Sequence, residues 1–93
     1  MIVRFTQIAR ADIAAIFEYI SRDNPSAARH VVTAIENATD RLSQFPQSGR
    51  IGAIETTREL VVPRLPFIVV YRVINDTVEI IAVFHAAQDR PRG

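Results

Sequence analysis

The chain has 93 residues, no cysteine, and a formal net charge of +1 set by eleven arginines, no lysine and ten acids. Its 48% hydrophobic content excludes a disordered tail, no apolar run approaches the ~20 residues of a membrane span, and MIVRFTQ lacks a secretory core. Disulfide and thiolate chemistry are absent with cysteine, and five arginines against five acids in residues 1–46, then six against five in 47–93, leave neither half the basic face that gripping phosphate needs.

A cytoplasmic protein of one domain, residues 1–93, is the default expectation. The arginine-only basic set fits either the codon bias of a high-GC genome or a use of planar, bidentate contacts. In chain order, MIVRFT reads as a short strand in which Ile2 alternates with Val3 and Phe5. A first helix follows in ARADIAAIFEYISRDN, where Ile13, Ile16, Phe17 and Ile20 share a face and Asp12, Glu18 and Arg22 fall elsewhere. Asn24 caps the next helix and Pro25 suits its first position. That helix is expected to run to about Phe45, with Val31, Ile35, Ala38, Leu42 and Phe45 as a continuous apolar seam, ended by Pro46 and Gly49. The short connection makes the two helices antiparallel neighbours. Residues 46–56 read as a loop, and strands are expected at about 57–62, 66–73 and 77–84. Asn75-Asp76 makes the last turn. The fold class is α+β, in the order β-α-α-β-β-β, with the helical hairpin on one face of a mostly antiparallel four-stranded sheet.

A two-residue turn at Asn75-Asp76 would set Arg72 opposite Glu79, Val70 opposite Ile81, Ile68 opposite Val83 and Pro66 opposite His85. A tight turn at Arg64-Leu65 would add Glu59 and Val61 to that face. The bulkier set Phe67, Val69, Tyr71, Val73, Val78, Ile80, Ala82 and Phe84, with Leu60 and Val62, would floor the helices. Val61, Ile68, Val70, Ile81 and Val83 would then form an exposed apolar patch, covered by a partner chain or by loop 46–56. A one-residue slip would exchange the faces of a strand.

Two histidines without cysteine make a zinc site unexpected, and no cofactor motif is present. His30 reads as a surface or boundary residue. His85 is expected at the end of the last strand near Arg72 and Glu79, either as a general acid or base or as a hydrogen-bonded strand-end residue. Arg72 and Glu79 are a cross-strand ion pair or part of an anion site. Arg58 and Glu59 read as a solvated strand rim.

The strings ADIAAIFEYISRDNPSAAR, RLSQFPQSGR, TRELVVPRLPFIVVYRV and VEIIAVFHAAQD, in this order, cover nearly the whole chain. They resemble the ParE/RelE superfamily of type II toxin–antitoxin toxins, and the ParE branch most. The resemblance implies a toxin neutralised by a ParD-like antitoxin, with operator DNA met only through that antitoxin and no membrane partner. In the RelE branch the activity is ribosome-dependent mRNA cleavage by basic residues on the open sheet face; in the ParE branch it is poisoning of DNA gyrase. This chain departs from the nuclease pattern, having Glu59 and Val61 in place of lysines and Ile68 in place of an arginine. Gln88 replaces an arginine common to both branches, with Arg90 two positions on.

The expected activity is therefore gyrase inhibition by a binding module without cofactor, leaning away from enzyme. The alternatives are a RelE-type nuclease using His85, Arg72 and Arg90, or a degenerate toxin kept for complex formation and autoregulation. Val61, Ile68, Val70, Ile81, Val83 and Tyr19 are the expected antitoxin contacts. Arg58, Glu59, Arg72, His85, Gln88 and Arg90 are the candidates for target contact. Val70→Asp or Ile81→Asp is expected to weaken antitoxin binding without unfolding the chain.

Overall fold

Side-chain caps start both helices. In the computed structural model, which describes residues 1–87, the Thr6 hydroxyl accepts the Ala9 amide at 3.1 Å and opens α1 (Gln7–Ser21). Asn24 accepts the Ala27 amide at 3.0 Å and opens α2 (Pro25–Arg41), with Pro25 in the first turn, where no amide is needed. α2 ends earlier than its apolar spacing suggests. Leu42 still closes the seam, fully buried, but the chain turns after Arg41 and leaves Phe45 61% exposed.

The strands are β1 (Ile2–Phe5), β2 (Arg50–Ile51), β3 (Arg58–Val61), β4 (Phe67–Ile74) and β5 (Thr77–His85). They form one sheet in the order β1-β5-β4-β3-β2, with β1 parallel to β5 and every other pair antiparallel. The sheet thus has five strands, not four: β2 is two residues of the expected loop, paired as Arg50 with Glu59 and Ile51 with Arg58. So short a strand carries no readable alternation.

The helical hairpin covers one face. Ala9, Val31, Ile35, Ala38 and Leu42 meet Val62, Phe67, Val69, Tyr71, Val78, Ile80 and Val83 in the main core. Each fully buried aliphatic side chain there contributes about 1.5–3 kcal/mol relative to exposure. Tyr71, with no exposed surface, brings a hydroxyl into this layer. It donates to the Pro46 carbonyl at 2.7 Å and accepts the Gly49 amide at 2.9 Å. A β-carbon on Gly49 would lie 2.7 Å from that hydroxyl, so only glycine allows the approach.

The β3–β4 register is the expected one, with Val61 against Ile68 and Glu59 against Val70, but the turn between the strands centres on Pro63-Arg64 rather than Arg64-Leu65: the Leu65 amide donates to the Val62 carbonyl at 3.2 Å, and the Val62 amide to the Phe67 carbonyl at 2.9 Å. The β4–β5 register begins as its turn dictates, with Ile74 against Thr77 and Arg72 against Glu79. It then slips by one residue at a β-bulge, where Val70 faces Ala82 and Tyr71 faces Ile80, so Ile81 has no partner. Three expected pairings fail for this reason. Val70 does not oppose Ile81, Ile68 opposes Phe84 rather than Val83, and His85 opposes Phe67 rather than Pro66. Val83 joins the helix-side core, while Ala82 and Phe84 move to the other face.

There Ile68, Val70, Ala82 and Phe84 form a second buried cluster against which Ile81 packs, partly buried. The expected exposed patch is therefore not present: Ile68, Val70 and Val83 are at most 5% exposed, and Val61 alone of the five stays open at 51%.

Candidate functional site

Beyond Phe5, the last β1 residue paired with β5, the outer edge of β5 is taken over by α1. The Thr6 amide donates to the Ile80 carbonyl at 2.9 Å, and the Thr6 hydroxyl donates to the carbonyl of bulged Ile81 at 2.9 Å. One turn and a half later, Asp12 Oδ2 accepts the Val83 amide at 3.0 Å. These side chains supply the partners a further strand would have supplied, so the edge is satisfied although β1 has stopped. They also fix where α1 lies on the sheet end.

The consequence is a groove of about 700 Å³ between α1 and the ends of β4 and β5. Asp12, Ile16 and Tyr19 form one wall; Pro66, Phe67 and His85 stand on the other. Tyr19 is 74% exposed at the rim. The His85 ring meets Phe67 edge-on, centroids 5.5 Å apart at 84°, and its Nδ1 accepts the Ala87 amide at 3.0 Å. A volume in the usual ligand-site range, an apolar lining and one carboxylate suit an apolar chain segment more than a small polar substrate.

The far face of the sheet carries a different arrangement. Arg4, Glu79 and Arg72 form a row across β1, β5 and β4, with Glu79 accepting from Arg72 at 2.7 Å and from Arg4 at 3.1 Å. The Arg72 guanidinium first, and Arg4 second, hold the Glu79 carboxyl below its ordinary value. On β3, Glu59 is not a solvated rim. It is 4% exposed, accepting from Arg50 at 3.1 Å and from the Ala53 amide at 3.3 Å. Arg58 donates to the Gly49 carbonyl at 2.8 Å and reaches Gln47 O at 3.4 Å.

Of the residues singled out from sequence, Tyr19, Val83 and His85 come together in the groove. Val61, Ile68, Val70 and Ile81 do not join them, and Arg58, Glu59 and Arg72 are engaged in bracing loop and sheet. His85 lies with the helix-side groove and not beside Arg72 and Glu79, because the bulge reverses the last part of β5. Gln88 and Arg90 lie outside the described residues. Asp12 reads from its spacing as an off-face residue; the signal for its role is its place between Ala9 and Ile16, three and four residues away on the helix flank. Among the described residues, no cluster of carboxylates and histidines could hold a metal ion, and no helix is long and apolar enough to cross a membrane.

Residues 3–90 match the family model for the ParE toxin of the type II toxin–antitoxin system parDE. The chain is 44% identical to the Sinorhizobium fredii protein Y4kP, a chain named as a toxin, over 97% of its own length and 93% of the relative's. It is 38% identical to toxin RelE2 of Caulobacter vibrioides, over 92% and 96%. A chain in the solved chromosomal ParDE toxin–antitoxin system of P. aeruginosa superposes with a TM-score of 0.83 at 27% identity, covering 91% of this chain and 95% of that one.

Proposed function

The chain belongs to the ParE toxin family of type II toxin–antitoxin systems, and from that membership we propose that it inhibits DNA gyrase as a binding module and is neutralised by a ParD-like antitoxin. The observation that carries the choice of target is the separation of His85 from Arg72. Cleaving an RNA strand needs a proton acceptor, a proton donor and a cation for the developing phosphate charge, all at one centre. His85 sits in the helix-side groove, whereas Arg72 is tied to Glu79 on the opposite face. Glu59, where the nuclease branch has a lysine, is a buried acid already engaged with Arg50.

The antitoxin is a chain with a segment that folds on docking, and the α1 groove is its site. Support comes from the likeness to a solved ParDE toxin–antitoxin system and from the shape and apolar lining of the groove. Such a segment gains affinity by burying its apolar side chains there, against the cost of becoming ordered. Contact with operator DNA then runs through the antitoxin.

A supercoiling assay with gyrase, titrated with this chain with and without antitoxin, tests the reading. Loss of supercoiling with trapped cleaved DNA, reversed by antitoxin, is the expected result. Intact supercoiling together with ribosome-dependent mRNA cleavage would overturn it.

A further inference from the structure

We infer that the groove selects its occupant by one charge: Asp12 pairs with an arginine or lysine carried by the antitoxin segment. This rests on the groove being the antitoxin site. Among the described residues that line it, Asp12 is the one carboxylate, and no arginine or lysine is among them. Its Oδ2 takes the Val83 amide, and no other hydrogen bond or ion pair reaches the carboxylate among the described residues. A single amide satisfies a fraction of the lone pairs of an ionised carboxylate; water satisfies the rest while the groove is open.

An apolar segment laid into the groove expels that water. The carboxylate must then receive a donor from the segment or be buried at a cost that opposes binding. A cation removes the cost and adds a charge-assisted hydrogen bond, with a guanidinium able to bind in two-pronged fashion. A neutral or acidic side chain at the same point would leave the charge unpaired, which is how such a site rejects a wrong antitoxin. The geometry also fixes where the cation falls. Asp12 and Tyr19 are seven residues apart on α1, both lining the groove, hence about 10 Å apart along the helix axis at ~1.5 Å per residue. The segment places its basic residue that far from the residue that packs on Tyr19.

The test uses the full-length antitoxin encoded by the reading frame adjoining that of this chain, titrated calorimetrically against wild type, Asp12→Asn and Ala15→Glu. Asparagine keeps a carbonyl acceptor for the Val83 amide and removes the charge; an unchanged melting temperature checks the first point. Affinity should fall roughly 30-fold or more for Asp12→Asn at low salt, the size expected when one partner of a desolvated pair is lost, and the gap should narrow at high salt. Replacing the basic residue of the antitoxin by methionine should cost as much against wild type and little against Asp12→Asn. Equal or tighter binding by Asp12→Asn overturns the charge selection while leaving the groove as the site. Undiminished binding by Ala15→Glu, or no binding by wild type, overturns the groove and the inference with it.

Discussion

The Asp12 carboxylate accepts the amide of Val83 at 3.0 Å, across 71 residues of sequence. With the Thr6–Ile81 bond, it substitutes a helix for the missing outer strand of β5. Asp12→Ala leaves the Val83 amide without its acceptor in a part-buried place, and should destabilise the fold by about 1–3 kcal/mol. Asp12→Asn should recover most of that loss. Urea unfolding measures both, and faster hydrogen exchange at Val83 in the alanine variant locates the effect. Equal stability of wild type and Asp12→Ala would show that the bond contributes nothing.

The hydroxyl of Tyr71 fastens the loop after α2. Tyr71→Phe keeps the ring in the core but deprives the Gly49 amide and the Pro46 carbonyl of their shared partner. The expected loss is about 1–3 kcal/mol, with exchange accelerated at Gly49. Gly49→Ala should cost more, because its new carbon meets the phenol oxygen, the Tyr71 ring and the Glu59 carbonyl together. A phenylalanine variant with unchanged melting and exchange would refute the role of the hydroxyl.

The parts of this fold readable from sequence are those decided within a few residues. Asn24-Pro25 names its own helix start; the β3–β4 register is the one a tight connection predicts, though its turn centres on Pro63-Arg64 rather than Arg64-Leu65, and a second turn at Asn75-Asp76 sets the β4–β5 register. The pairing of Arg72 with Glu79 follows from the second turn. The bulge at Ile81 coincides instead with long-range contacts from Thr6 and Asp12, which no local pattern encodes, and it inverts the residues beyond it. Hence Val83 and His85 lie on the face opposite to the one their alternation predicts, while Val61 and Glu59, on the unbulged β3 side, keep the predicted face. Tyr19 could be read as a residue on the exposed side of its helix. The groove beside it could not, since its other wall is the end of that inverted strand.

The same inversion changes what a charge on the far face should do. Val70 is 4% exposed and packs with Ile68, Ala82 and Phe84. Val70→Asp should therefore unfold the chain rather than selectively remove a binding contact, at a cost of about 4 kcal/mol or more for an unpaired buried charge. Val61→Asp, at a half-exposed position, should leave the fold intact. Circular dichroism melts of the two variants separate these outcomes. A fully folded Val70→Asp would mean that this cluster is not core.

Glu79 makes the row on the far face sensitive to acid. Its carboxyl is held below the ordinary value of 4.5, by Arg72 first and Arg4 second. A depressed folded-state value means that the stabilisation is present above the unfolded-state value and disappears as pH falls through the folded-state one. The carboxyl resonance of Glu79, followed by NMR, should thus titrate below 4.5. Arg72→Gln should raise its midpoint more than Arg4→Gln. The reverse order would show that the Arg4 contact dominates.

The separation of His85 from Arg72 predicts how toxicity responds to their loss. His85 opposes Phe67 and engages the Ala87 amide, while Arg72 is held by Glu79 across the sheet. If growth arrest comes from binding gyrase, His85→Ala and Arg72→Gln should each leave arrest on expression within roughly threefold of wild type, as expected of surface substitutions worth about 0.5 kcal/mol. Their effects should multiply in the double variant, since residues without a shared partner act independently. Growth arrest abolished by His85→Ala, with the protein folded and with mRNA that the wild type cuts now left intact, would instead make the histidine part of a nuclease centre. The readout is growth on induction paired with RNA integrity and DNA-damage response, so that loss of toxicity and change of target are seen apart.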